Sequence, residues 1–236
     1  MSDIHGNRVA LDAVLADVEN HPVDQWVCLG DTIQGGAQPV EVVEKLRELA
    51  CPVILGNADE EVLSPDSENE QLKTVSEWTA ERLGSEGLDF IRTFVPTHQI
   101  ELGVAGSLLC FHGTPRSFNE VLLPETPPDE LRRGLNGSDA TVMCGGHTHL
   151  QWTTTVDRRR FFNPGSVGLA YNRHMAREEF YFPAIAEFAV LTVVDADVRL
   201  EFCRVPFDVE ALKEAIVSSG HPFAEQTAAR YSPPPG

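Results

Sequence analysis

Apolar positions in the first third of the chain recur at two different spacings. Between Asn7 and Glu19, the residues Val9, Leu11, Val14, Leu15 and Val18 follow a 3.6-residue period, which predicts a helix capped by Asn7. Gln25 to Leu29 is a short apolar run that reads as a strand. Val40 to Leu49 is amphipathic at helical spacing and follows Pro39, a residue suited to a helix start, and Pro52 to Leu55 reads as another short strand. Strands alternating with helices predict a parallel sheet, and such sheets gather ligand-binding groups at the carboxyl ends of their strands. Gln71 to Phe94 is again helical in pattern, divided by Gly84 and Gly87.

Beyond Pro96 the period changes to two. Ile100 to Val104, Ser107 to Phe111, Thr141 to Cys144, Gln151 to Val156, Arg159 to Phe162, Phe188 to Val194 and Val198 to Val205 all read as strands, mostly separated by Gly, Asp or Pro turns. Asp195-Ala196-Asp197 reads as a hairpin turn, and Val209 to Val217 as a last helix. An α/β half followed by a β-rich half predicts one domain over residues 1–231, with two packed sheets flanked by helices. Residues 232–236 are expected to be a disordered Pro-rich tail.

Composition narrows the class. A chain of 236 residues with 42% apolar side chains suits a single core. Its 36 acidic against 18 basic residues give a net charge of −18, which repels polyanions and argues against a nucleic-acid surface. A small phosphate ester held through cations stays compatible, because bound ions dominate their local field. The five cysteines fall singly, four of them inside apolar runs, and read as free thiols of a reducing compartment. No apolar stretch approaches the roughly 18 residues of a membrane span, and no leader pattern opens the chain, so the cytoplasm is the expected location.

Five short motifs then carry the chemistry: Asp3-Ile4-His5, Gly30-Asp31, Gly56-Asn57, His112-Gly113 and Gly146-His147-Thr148-His149. Together they supply imidazole nitrogens, two carboxylates and an amide oxygen, an inventory that suits two metal ions sharing a bridge. Asp31 is the natural bridge, since a carboxylate reaches two ions better than any other side chain. His147 and His149 lie two apart, so on an extended segment they face the same way and can serve adjacent ions. Ligands of nitrogen and oxygen without thiolate suit Mn²⁺, Fe, Zn²⁺ or Ni²⁺.

The ordered set resembles the calcineurin-like metallophosphoesterases, whose pattern D-x-H, G-D, G-N-H-[DE], H, G-H-x-H is matched at all but one position. The resemblance implies a four-layer α/β/β/α sandwich of two mixed sheets flanked by helices. It also implies two divalent transition metals, most simply Mn²⁺, with Asp3, His5, Asp31 and His149 around the first and Asp31, Asn57, His112 and His147 around the second. The implied activity is hydrolysis of phosphodiesters or nucleotide-type phosphate esters by a metal-bridging hydroxide. In that family a first strand of about five apolar residues delivers D-x-H. Here only Met1 and Ser2 precede Asp3, so that strand is expected to be missing or truncated.

The departure is Ala58, which stands where the family carries a histidine thought to protonate the leaving oxygen or hold the scissile phosphate. His174, just past the N-P-G-S turn at Asn163 to Ser166, is the candidate replacement acid, and Arg173 is a candidate phosphate contact. Asp59 keeps its place in the motif and is expected either to cap a helix or to orient a metal-bound histidine. Protein phosphatases of the superfamily add arginines after G-D and G-N-H-E. The corresponding segments here, Gly30 to Gly36 and Gly56 to Glu61, carry neither. A phosphomonoesterase or protein phosphatase is therefore a weaker alternative. A non-catalytic metal-binding scaffold of the same fold is the other. Oligomeric state is not legible.

Overall fold

The Asn7 side chain accepts the Ala10 N–H at 2.9 Å and opens helix α1, Arg8–Val18, as the capping pattern predicts. This is a computed structural model, and it describes residues 1–19, 23–171 and 181–233. Helix α2, Pro39–Leu49, has proline in its first turn and ends at Ala50, whose φ of 47° is left-handed. Helix α3, Asn57–Leu63, follows the Gly-Asn motif directly. The long α4, Glu70–Ile91, is broken at Gly84 (φ 61°, ψ −173°), one of the two glycines expected to divide it; Gly87 stays helical. Shorter helices follow at α5, Pro128–Gly134, α6, Val209–Ser218, and α7, Ala224–Ala229.

The first sheet has the order β1-β2-β3-β5-β4, from Thr97–Glu101, Ser107–Phe111, Val142–Cys144, Arg159–Pro164 and Gln151–Val156 respectively. Its inner pairs β2/β3 and β3/β5 are parallel and its outer pairs antiparallel, so it is mixed. Alternate residues go to opposite faces, as the two-residue period requires. Leu109, Phe111, Met143 and Phe161 pack with Leu131 and Leu135 of the α5 region, while Leu108, Cys110, Val142, Cys144 and Phe162 face Leu29, Ile54 and Leu191 of the second sheet.

The second sheet is assembled from short pieces. Cys28 bridges Val53 and Ile54 bridges Val95, both in parallel, so the predicted strands at 25–29 and 52–55 shrink to single ladder contacts. On the other side, β7 (Ile185–Val194) pairs along its whole length with β8 (Asp197–Pro206), through a turn with Asp195 at φ 53°. Between these halves runs Met1 to Asp3. Met1 O accepts Leu29 N–H at 2.9 Å, Asp3 N–H donates to Gly30 O at 3.0 Å, and Ser2 O accepts Val167 N–H at 2.9 Å. These three buried residues, gripped from both sides, hold the D-x-H motif in the row between the two halves of the sheet. Helices α1, α2 and α6 cover the outer face of this sheet with the largest of the three core clusters. The order of layers is helix, sheet, sheet, helix.

Two boundaries move for physical reasons. β1 starts earlier than expected, at Thr97, which pairs with Phe111, and it ends earlier, at Glu101, because Gly103–Ala105 forms a 3₁₀ turn with Gly103 at φ 60°. Ser232, placed by the sequence in a disordered tail, instead pairs with Pro183 in a short parallel ladder of β6 (Phe182–Pro183) with β9 (Tyr231–Ser232). Residues 234–236 lie outside the described residues. Among the described residues no helix is long and apolar enough to cross a membrane.

Candidate metal centre

Asp3, His5, Asp31, His147 and His149 all carry positive φ, between 48° and 70°. Such backbone costs energy for a residue with a side chain and persists where surrounding structure imposes it. Here the imposition comes from tight turns at the ends of strand rows, and glycines make the turns possible. A Cβ on Gly56 would sit 2.1 Å from Asp31 Oδ1, and one on Gly146 would sit 2.0 Å from Ser2 Oγ. The glycines that precede Asp31, Asn57 and His147 are thus a matter of close approach between the loops.

These loops bring the expected donors into two overlapping groups. Asp3, His5, Asp31 and His149 each offer an atom within 4.8 Å of the others, and Asp31, His112 and His147 do likewise. Asn57 joins the second group, its Oδ1 3.1 Å from His112 Nε2. Asp31 belongs to both, with Oδ2 3.7 Å from His5 Nε2 and 3.3 Å from His112 Nε2. Its other oxygen is committed, accepting the Ala58 N–H at 2.8 Å. The shared atom is therefore one oxygen and not the pair that a two-armed bridge would use. Asp3 behaves alike: Oδ2 accepts the His147 N–H at 3.2 Å, while buried Oδ1 accepts no directed hydrogen bond and faces His149 Nε2 at 3.2 Å.

Backbone carbonyls orient the imidazoles. His5 Nδ1 lies 2.7 Å from Gln34 O, His112 Nδ1 2.8 Å from Leu29 O, and His149 Nδ1 3.0 Å from Leu169 O. A carbonyl only accepts, so each Nδ1 carries hydrogen and each Nε2 faces inward, with a lone pair wherever the ring is neutral. The consequence is a conflict, because His5 Nε2 and His149 Nε2 stand 3.1 Å apart. Two lone pairs at that distance need a cation or a proton between or beside them. That conflict, together with the unpartnered Asp3 oxygen, is the observation by which this donor set fits divalent metal.

Electrostatics agree. Burial pushes Asp31 upward, but the charge of His112 and its hydrogen bond outweigh it and hold the carboxyl below its ordinary 3.8. In return, burial lowers His112 but the Asp31 carboxylate more than reverses this and pushes it up to about 10. His149 is also raised, with Asp3 outweighing burial. His5 and His147 go the other way: burial and a neighbouring histidine lower both. His147, His149 and Asn57 are half-buried and the rest buried, so the centre opens on that side.

Asp59 does not join either donor group. It lies fully buried behind them and accepts Thr32 N–H at 2.7 Å, Thr32 Oγ1–H at 2.8 Å and Gly56 N–H at 3.1 Å, tying the Gly-Asp loop to the start of α3. Of its two expected roles, the helix cap is the one its contacts match. Burial first, then the charge of Asp31, pushes it up to about 7. Arg173 and His174 lie outside the described residues. Two supports escaped sequence reasoning as individual residues. Ser166 Oγ–H donates to Asp3 O at 2.7 Å, and Asn163 Nδ2–H donates to Gly146 O at 2.6 Å. Their signal was the N-P-G-S turn itself. Cys144 packs in the inter-sheet core, its Sγ 3.4 Å from that of Cys110.

A four-layer sandwich with a pair of nitrogen and oxygen donor groups sharing one carboxylate defines a class of metal-site proteins. The calcineurin-like phosphoesterase superfamily domain matches residues 1–187, and the chain belongs to that family. An uncharacterised protein of Methanocaldococcus jannaschii is 28% identical over 243 residues, covering 94% of this chain and 92% of that protein. Among solved structures, a metallophosphoesterase from Sphaerobacter thermophilus superposes with a TM-score of 0.77 at 24% identity, covering 98% of this chain and 96% of that one. A hypothetical protein from Pyrococcus horikoshii OT3 superposes at 0.80 with 21% identity, covering 97% and 94%.

Proposed function

We propose that this chain is a metal-dependent phosphoesterase that cleaves phosphodiesters or nucleotide-type phosphate esters. The observation that carries the reading is the convergence of Asp3, His5, Asp31, Asn57, His112, His147 and His149 from five loops, with Asp31 common to both groups. Two divalent cations held there would supply positive charge at the phosphoryl oxygens and a water of lowered pKa. The residues hold, orient and neutralise. Asp3 and Asp31 balance cation charge, and each has its second oxygen fixed by a backbone N–H, so the facing oxygen is preset. The carbonyls of Gln34, Leu29 and Leu169 keep the imidazoles aimed. Manganese is the metal we favour for a carboxylate and imidazole set, with iron, zinc and nickel as the competing occupants.

Two features shape the substrate. Ala58 is 4% exposed and carries no proton, so the chain has no donor at the position where relatives of the pattern place histidine. That favours esters whose leaving group departs as a stable anion. A net charge of −18 disfavours long polyanions and leaves small esters. The absent arginines after Gly30-Asp31 and Gly56-Asn57 weigh against a phosphoprotein.

The test is hydrolysis of bis(p-nitrophenyl) phosphate by protein stripped with a chelator and then reloaded with Mn²⁺. Turnover that appears only on reloading supports the reading. Stoichiometric metal uptake without turnover of any diester or monoester would favour the scaffold alternative instead.

A further inference from the structure

Strand β8 is ten residues long and, among the described residues, is paired on one side only. The direction of its other edge follows from β7. Glu187 N–H leaves β7 for Ser166 O at 2.9 Å, so Glu187 and Arg204 form a pair whose backbone groups turn away from each other. Alternation then turns the N–H and C=O of Val198, Leu200, Phe202 and Arg204 outward. Arg160 Nη1–H donates to Val198 O at 2.9 Å, and among the described residues the N–H groups of Leu200, Phe202 and Arg204 meet no acceptor. Natural edges are ordinarily blunted by lysine, proline or a bulge. β8 has no lysine, its ten residues pair with β7 without a bulge, and its one proline is the last residue. The edges of the first sheet, β1 and β4, have only five and six residues.

We propose that β8 is a dimer edge, pairing antiparallel with β8 of a second copy about a two-fold axis at Leu200 and joining the two sheets into one. Charge and register together select this occupant. A two-fold sets outward-turned residues against outward-turned residues, and centring on Leu200 places Val198 opposite the partner's Phe202. On the inter-sheet face, the half-buried Val198, Leu200 and Phe202 then cover the same three side chains of the partner. On the other face, exposed Arg199 stands opposite the partner's Glu201, and the symmetry makes that pair twice. Arg199 already holds Asp197 at 2.8 Å, so it is aimed along the strand's charged face. Other registers fail. Centring on Arg199 or on Glu201 sets like charges directly opposite, and centring on Phe202 sets Pro206, which has no N–H, against Val198. The strand is also locally neutral, because Asp197 and Glu201 balance Arg199 and Arg204 in a chain of net charge −18. Two copies therefore meet here without adding like charge at the contact.

The experiment is sedimentation velocity across micromolar to submillimolar concentrations, for the natural chain, Arg199→Glu, Glu201→Arg and the double swap. The natural chain should dimerise. Each single reversal should weaken the dimer by at least about tenfold, and the double swap should recover at least about fivefold over either single variant. A chain monomeric throughout, or a dimer indifferent to both reversals, would overturn the proposal. A double swap no tighter than the singles would overturn the register. Asp197→Cys reads that register directly, since position 197 faces the partner's Cys203 in a close pair at about 4.5 Å between Cα atoms, within disulfide reach. Oxidised glutathione, reduced as the two thiols lose their hydrogens, should then link the copies covalently, and adding Cys203→Ser should abolish the link. No link at concentrations where the dimer forms, or a link that survives Cys203→Ser, would contradict the pairing about Leu200.

Discussion

His112 holds the proton that a cation must displace. With its pKa pushed up to about 10 by Asp31, the metal-free side chain is protonated at neutral pH, whereas burial keeps His5 and His147 below their usual value, neutral and ready. Metal binding to the second group must therefore release a proton from His112, and affinity rises as pH rises toward 10. Mn²⁺ titrations at pH 6.5, 7.5 and 8.5 should show a gain of about tenfold per unit for one proton, more if His149 adds its own. A flat profile would contradict the pairing of His112 with Asp31. Ala58 makes the second prediction at this scale. Across aryl diesters of graded phenol pKa, kcat/KM should fall steeply as the leaving group worsens. Ala58→His should flatten that slope, with gains confined to poor leaving groups and bounded by the roughly 10²–10⁴-fold reach of general acid catalysis. A slope already shallow in the natural chain would mean another residue donates the proton, and His174→Ala would then identify or eliminate that candidate.

Loops at strand ends do the positioning, and their tolerance is small. Gly56 has an ordinary φ of −94°, so replacing it with alanine strains no backbone, yet the added methyl would fall 2.1 Å from Asp31 Oδ1. Gly56→Ala should therefore leave the helical signal near normal while weakening metal binding by at least about tenfold, the scale seen when a ligand's support is disturbed. Unchanged affinity would show that the α3 start can move away from Asp31. The elements themselves were legible wherever an amphipathic period was long: α1 with its Asn7 cap, α2 behind Pro39, and the β2, β4 and β8 runs. What sequence could not give was pairing. The apolar runs at 25–29 and 52–55 read as strands but form single bridges, because the row is held by the neighbouring segments and not by a long ladder. Ser232 was unreadable as a strand since its partner, Pro183, is distant in sequence.

For the whole molecule, the order of five motifs specified the donor inventory, and the topology supplied what a linear pattern cannot: which oxygen of Asp31 is shared, which carbonyl aims each histidine, and that Asp59 lies behind the centre. Those details depend on contacts between residues 20 to 83 positions apart and leave no local trace. The central claim is that two cations share Asp31. Its most direct test is metal analysis of the purified chain after Mn²⁺ reconstitution, set beside diester hydrolysis, for the natural protein, Asp31→Asn and Cys144→Ser. The account predicts two metals per chain with activity for the natural protein and for Cys144→Ser, and loss of both bound metal and activity in a folded Asp31→Asn. Asp31→Asn that retained two metals and turnover, or a natural chain that held only traces of metal after reconstitution, would contradict it.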